Sequence, residues 1–149
     1  MRIVVEQAEL EEPEVVIRGN SGDPRIAKLV GACNAALGTG KLFLYRDERE
    51  YLYNWRDVAY FEAGGSKVFG YVDGEAYETR HKLYELAELA YSYGFVQISK
   101  GILVNIGQVL SVEAEFSGNY IAVLKQGGKR LVISRKYIKT FRHYVMEVY

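Results

Sequence analysis

The chain has 149 residues, 49% hydrophobic and 26% charged, which is enough apolar material for one packed domain without a metal or a disulfide. Its single cysteine excludes an internal disulfide, and the lack of any long apolar run predicts a cytoplasmic protein without a signal peptide or membrane span. The net charge is zero, yet residues 96–149 carry eight Lys and Arg against three Asp and Glu, so neutrality does not exclude a polyanion as partner.

Residues 1–40 predict a small β/α segment. The β-branched runs Ile3-Val4-Val5 and Val15-Val16-Ile17 are predicted to be strands, joined by an acidic, solvated connection. Asp23-Pro24 is typical of a helix start, and Gly38-Thr39-Gly40 is predicted to end that helix. Its apolar stripe would contain Ile26, Leu29, Val30, Cys33 and Leu37, with Cys33 as a small buried hydrophobe. The segment is too short for its own core, so we expect a dimerisation element or a cap on an exposed sheet edge.

Residues 41–93 change to alternating hydrophobicity with regularly spaced turn signals. Strands are predicted over residues 41–45, 50–54, 58–62, 67–72 and 76–79. Gly64-Gly65 and Asp73-Gly74 are predicted to be tight hairpin turns. Helical spacing returns over residues 82–93, and Gly94 is predicted to end that helix.

The C-terminal third predicts more short strands and a final helix. The strands are expected over residues 96–98, 102–104, 109–115, 120–125 and 131–133. Ser134 is a predicted N-cap for a helix that runs to about residue 147 and buries Ile138, Phe141 and Val145. The predicted fold is therefore mainly β, with antiparallel sheets and flanking helices.

Residue patterns typical of enzymes are scarce. The two histidines do not stand at metal-ligand spacing from carboxylates, and no glycine-rich loop connects a strand to a helix in the way a phosphate-binding loop does. We therefore expect no catalytic activity, no metal, no cofactor and no small-molecule substrate.

A basic row is the clearest candidate for binding chemistry. Arg135, Lys139 and Arg142 are spaced to share one side of the last predicted helix, with Lys136 beside them. The row starts at the helix N-terminus, where free backbone N–H groups also attract phosphate. The spacing equally fits an ordinary solvated face opposite the apolar stripe, so periodicity leaves both interpretations open.

One segment resembles a known family. Residues 95–105, Phe-Val-Gln-Ile-Ser-Lys-Gly-Ile-Leu-Val-Asn, are similar to the central signature of the LytTR DNA-binding domain. Three other landmarks of that family lie in register, and the resemblance covers about residues 55–145. These landmarks are Val58-Ala59-Tyr60-Phe61-Glu62, Tyr77-Glu78-Thr79-Arg80 and Ile133-Ser134-Arg135-Lys136-Tyr137. Two positions depart from the pattern, because Gln97 stands where a basic residue is common and Gly101 where serine is usual.

The resemblance implies a bacterial transcriptional regulator that binds double-stranded DNA as a homodimer on repeated half-sites. It implies an elongated LytTR-like domain over residues 41–149, preceded by the segment 1–40, which is too short for a receiver domain. Members of this short, stand-alone branch usually have a small membrane protein as companion. A second hypothesis, motivated by Gln97 and Gly101, is a protein-interaction module with a degenerate DNA face that such a membrane partner controls.

The family's binding mode carries over to three loops that enter the major groove. The residues it implies are Ser66 and Lys67 in the first loop, Ser99 and Lys100 in the second, and Ser134, Arg135 and Lys136 in the third. Arg135 is expected to contact a base, because the guanidinium fork matches guanine. Lys67, Lys139 and Arg142 are expected to contact phosphates. Asn105 belongs to the signature but is interpreted as a structural turn or capping residue.

Overall fold

The computed structural model describes residues 2–20, 22–36 and 40–148. The helices are α1 (Pro24–Ala36), α2 (Leu83–Leu89) and α3 (Ile138–His143), the last continued by a π-helix (Tyr144–Val148). The strands are β1 (Lys41–Arg46), β2 (Arg49–Asn54), β3 (Tyr60–Gly64), β4 (Lys67–Val72), β5 (Glu75–Thr79), β6 (Phe95–Ser99), β7 (Ile102–Asn105), β8 (Val109–Ala114), β9 (Tyr120–Leu124) and β10 (Arg130–Ile133). The predicted mainly β fold is confirmed.

Two antiparallel sheets contain these strands. The larger has seven strands in the order β2-β1-β5-β4-β3-β7-β6, and the smaller has three in the order β10-β9-β8. The Asp73-Gly74 turn lies where the sequence places it, whereas the first hairpin turns at Gly65-Ser66, one residue later than predicted, because Gly64 still pairs with Lys67. Asp73 and Gly74 adopt positive φ between β4 and β5, and Gly127 and Gly128 do so between β9 and β10. Glycine adopts this backbone conformation without a steric penalty, which is why these dipeptides predict hairpins well.

The seven-stranded sheet carries a different core on each face. Phe61, Phe95 and Leu103 point into the first core, where helix α2 covers the sheet. Their neighbours Tyr60, Val96 and Val104 point into the second core, formed with the smaller sheet and α3. This alternation follows from the two-residue period of a strand. The second core therefore holds the smaller sheet and the C-terminal helix in place beside β6.

Two predicted helices differ from the structure. Helix α2 ends at Leu89, and a 3-10 turn (Tyr91–Tyr93) follows it before Gly94 adopts a left-handed conformation with φ of 93°. The last helix begins at Ile138 and not after Ser134. Residues 135–137 form a turn in which the Tyr137 N–H donates to the Ser134 carbonyl, three residues back and not four. The prediction for Val145 is also wrong. Tyr144, three residues after the buried Phe141, lies in the core, whereas Val145 is exposed.

The N-terminal segment contains the largest error of prediction. Residues 2–20 form no strand, and Ile3 and Val5 are 88% and 91% exposed. In the described part of the single chain no strand lies beside these runs. A β-branched run forms a strand only when it can pair and pack, so these runs stay irregular. Helix α1 is confirmed, and Gly31 approaches Ser92 closely enough that an added Cβ would lie 2.4 Å from its Oγ. Cys33 is half-buried and not fully buried as predicted. The predicted stop at residues 38–39 and the stripe residue Leu37 lie outside the described residues.

Candidate nucleic-acid interface

Two of the three predicted loops lie side by side at one end of the larger sheet. Ser66 and Lys67 belong to the β3–β4 hairpin, while Ser99 and Lys100 belong to the β6–β7 hairpin. Strands β3 and β7 are antiparallel neighbours, so the end of β3 lies beside the start of β7. The Ala63 N–H donates to the Gly101 carbonyl at 2.8 Å, which joins the two turns directly.

The third loop lies next to the second. The Ser134 N–H donates to the carbonyl of Ile98, one residue before Ser99, at 2.9 Å. The turn that carries Arg135 and Lys136 therefore begins at the end of β6 that also bears Lys100. The three loops form a continuous row, which we call the loop row: Ser66, Lys67, Ser99, Lys100, Ser134, Arg135 and Lys136.

Arg135 is held by a residue that the sequence interpretation did not single out. Its backbone N–H donates to Asn119 Oδ1 at 3.1 Å, and Asn119 lies in the β8–β9 turn. Tyr120 follows Asn119 in the chain, and the guanidinium of Arg142 stacks over its ring at 5.4 Å from the ring centre. The last residue of the β8–β9 turn and the first residue of β9 thus contact the two arginines. The only signal in the sequence was the turn-forming triplet Ser117-Gly118-Asn119, which says nothing about a partner 16 residues away.

The basic row on a helix is not formed as predicted. Arg135 lies in the turn before α3, so only Lys139 and Arg142 of the row stand on that helix. The argument that Arg135 and phosphate meet at a helix N-terminus therefore fails. Lys139 and Arg142 remain exposed and lie one helical turn from each other.

The cations of the loop row and of helix α3 differ in whether an ion pair holds them. Lys67 Nζ lies 3.5 Å from Glu78 Oε2 on the neighbouring strand β5, with both side chains about half exposed. Within the described ranges, no ion pair holds Lys100, Arg135, Lys136 or Lys139, and all four are exposed. Four cations are therefore available to an anionic partner. Lys67 would have to leave the Glu78 carboxylate to contact such a partner.

The signature residues around the second loop have clear structural roles. Asn105 is 3% exposed and donates to the carbonyls of Arg56 and Val58 at 3.2 and 2.9 Å, while its Oδ1 accepts from the Gly107 N–H at 3.0 Å. Its interpretation as a structural capping residue is confirmed. Gln97 Nε2 donates to the Lys100 carbonyl at 3.3 Å and so supports the turn. A Cβ at Gly101 would meet Ala63 O only at 3.9 Å, so a serine would fit there.

Across residues 2–20, 22–36 and 40–148, no group of three or more His, Cys, Asp or Glu side chains is arranged to hold a metal ion. Among the helices described, none has the length and apolar character needed to cross a bilayer.

Comparison with known proteins identifies the family and the fold. The family model of the LytTr DNA-binding domain matches residues 48–146. The fold is similar to the solved LytTr DNA-binding domain of a Bacillus cereus protein, with a TM-score of 0.67 and 17% identity, over 72% of this chain and 97% of that one. Comparison with curated protein sequences finds no match. The chain belongs to the LytTr DNA-binding domain family.

Proposed function

We propose that this chain is a sequence-specific transcriptional regulator that lays its loop row along double-stranded DNA and inserts the three loops into the major groove. The observation that carries the proposal is the continuity of the loop row. Two backbone hydrogen bonds, Ala63 to Gly101 and Ser134 to Ile98, align three turns from distant parts of the chain at one end of the molecule. A row of loops with exposed cations suits a polyanionic rod, because phosphates provide affinity and groove edges provide specificity.

Arg135 is the residue proposed to read a base. Its backbone is fixed through Asn119 while its side chain is exposed, so the guanidinium is presented from a braced turn. A guanidinium that contacts guanine O6 and N7 discriminates against other bases by about 1–3 kcal/mol. Lys67, Lys139 and Arg142 are proposed to contact phosphates. Ser66, Ser99, Lys100, Ser134 and Lys136 complete the three groove-facing loops.

The test compares Arg135→Ala with Lys139→Ala on a fragment of the promoter of the chain's own operon. Arg135→Ala is expected to weaken specific binding while leaving affinity for unrelated DNA nearly unchanged. Lys139→Ala is expected to weaken both and to reduce the salt slope by about one unit. Lys129→Ala is the matched control, since Lys129 lies in the β9–β10 turn at the opposite end of the smaller sheet from Asn119. A Lys129→Ala effect equal to that of Lys139→Ala would contradict the proposed surface.

The regulator is further proposed to bind as a homodimer on repeated half-sites. The second candidate function, a protein-interaction module controlled by a membrane partner, is favoured by Gln97 and Gly101, because neither offers the cation or hydroxyl that the family commonly has there. Binding to a small membrane protein together with no salt-sensitive DNA complex at low ionic strength would favour this second function. A specific DNA complex of the wild-type chain would reject it.

A further inference from the structure

The two apolar runs of the N-terminal segment share a charge pattern. Residues 2–6 read Arg-Ile-Val-Val-Glu, and residues 14–18 read Glu-Val-Val-Ile-Arg. Each run has three β-branched residues between opposite charges. In the single chain Val4, Val15 and Val16 are 60%, 64% and 61% exposed, so strand-forming residues are left in contact with water. Concentrated apolar exposure of this kind marks an interaction site.

The two runs do not suit each other within one chain. An antiparallel hairpin that aligns the apolar residues would set Arg2 opposite Arg18 and Glu6 opposite Glu14, and like charges directly across a strand pair are destabilising. A parallel pair would match the charges, but parallel strands need a connection of about a dozen residues or more. Only residues 7–13 join the two runs. The exposure of both runs in the monomer is consistent with this conflict.

A second copy of the chain resolves the conflict. When residues 14–18 pair antiparallel with the same residues of another copy, Glu14 faces Arg18 of the second copy twice, and Val16 lies on the two-fold axis. We propose that this pairing forms the dimer contact of the regulator, an inference that deepens the homodimer of the proposed function.

The run 14–18 has a better anchor than the run 2–6. Ile17 is half-buried, and an added Cβ on Gly19 would lie 2.7 Å from Ile26 Cδ1 on helix α1. Helix α1 in turn packs on the 3-10 turn, with Lys28 Nζ 5.1 Å from the centre of the Tyr91 ring. Strand pairing at residues 14–18 would therefore connect the two DNA-binding domains through α1. The run 2–6 has the same self-complementary pattern and would extend the pairing.

A charge-exchange series in the full chain tests the contact. Glu14→Lys and Arg18→Glu each place like charges opposite one another at two positions of the dimer, and each is expected to raise the dimer Kd about tenfold or more. The double variant restores opposite charges and is expected to return to near the wild-type Kd. Glu12→Lys is the control, with the same charge change outside the run. Sedimentation over a protein concentration series measures each Kd.

The outcomes separate the dimer from an internal hairpin. A hairpin would set Glu14 opposite Glu6, so Glu14→Lys would strengthen it and would leave the mass of the particle unchanged. A double variant that associates no better than the single variants would overturn the pairing, and so would a monomeric wild-type chain.

A disulfide test locates the two-fold axis. Residues at the centre of an antiparallel pair have Cα atoms about 4.5–5.5 Å apart, within disulfide range. In a Cys33→Ser background, Val16→Cys is expected to oxidise to a covalent dimer much faster than Glu12→Cys. Equal rates for the two would overturn the assignment of Val16 to the axis.

DNA binding by the same samples separates the two proposals. A monomeric wild-type chain that binds its promoter specifically would overturn the strand pairing and the homodimer, and would leave the proposed sequence-specific DNA binding intact. A dimer that obeys the charge-exchange series but binds no DNA would overturn the regulator and leave the pairing intact.

Discussion

Residues 41–146 and residues 2–36 both contain runs of β-branched residues, but only the first region forms strands from them. Val104 in strand β7 is fully buried, whereas Val5, in an equally β-branched run, is 91% exposed. Each strand of the first region has at least one hydrogen-bonded neighbour, and the two N-terminal runs have none in the described chain. Strand propensity therefore becomes structure only where a second strand and a core receive the side chains. The two N-terminal runs have neither in the described chain.

The largest expected contrast lies in the free energy of unfolding. Phe61 is fully buried between Trp55 and Phe95, with ring centres 6.0 and 5.5 Å away. Phe61→Ala is expected to cost about 3–5 kcal/mol, because it removes apolar contact and leaves a cavity. Val5→Ala is expected to change the monomer's stability by less than about 0.5 kcal/mol. Urea unfolding at concentrations where the chain is monomeric measures both. Similar losses for the two variants would mean that Val5 belongs to the core of the single chain.

A matched pair of asparagines sharpens the comparison. The Oδ1 atoms of Asn105 and Asn20 each accept a hydrogen bond at 3.0 Å from the backbone N–H two residues ahead. Asn105 is buried and also donates to two carbonyls, so Asn105→Ala is expected to cost about 2–3 kcal/mol by leaving these groups unsatisfied. Asn20 is exposed, and Asn20→Ala is expected to cost under about 0.5 kcal/mol because water replaces the bond. Denaturant midpoints compare the two, and a small loss at Asn105 would contradict its structural role.

Local patterns predicted the elements of residues 41–133 well. Alternation and glycine turns placed the strands to within two residues, including β3, predicted over 58–62 and observed over Tyr60–Gly64. Asp73-Gly74 was informative because few residues other than glycine adopt positive φ readily. The position of the loop row followed only from the family resemblance, since nothing in the spacing of residues 66, 99 and 134 indicates that they share one end of a sheet.

The errors have a common physical origin in long-range contacts. Helix α3 starts at Ile138 and not after Ser134 because a turn comes first. The N–H groups of Ser134 and Arg135 anchor that turn to Ile98 and Asn119, partners that no local window contains. The predicted N-terminal strands are not formed because the described chain contains no strand with which they could pair.

Tyrosine ionisation at alkaline pH is expected to act on one region alone. All 13 tyrosines lie beyond residue 40. Burial raises the pKa of Tyr60 to about 12, and the ring of Tyr71 stacks on it at 4.3 Å. The pKa of Tyr60 in the folded chain exceeds the ordinary value near 10. The contribution of neutral Tyr60 to the free energy of unfolding is therefore complete below pH 10 and is lost as the pH rises through 12. Allowing for solvent screening, the free energy of unfolding of Tyr60→Phe should fall by about 1–2 kcal/mol less than that of the wild type over the same rise in pH. Unfolding curves from pH 8 upward measure it, and identical pH profiles would contradict the assignment.

The smallest expected effect compares a carboxylate beside the loop row with one in the N-terminal segment. Glu78 lies 3.5 Å from Lys67, so Glu78→Gln is expected to release this lysine for a phosphate and to raise DNA affinity about two- to fivefold, the range of an exposed ion pair. Glu12→Gln makes the same change of charge at an exposed site in the N-terminal segment and is expected to have a smaller effect. Fluorescence anisotropy with labelled DNA at two salt concentrations measures both. If the two variants gain equally, the gain reflects net charge alone, and Lys67 makes no phosphate contact. A gain confined to Glu78→Gln would place the β3–β4 loop on the DNA and the N-terminal segment away from it.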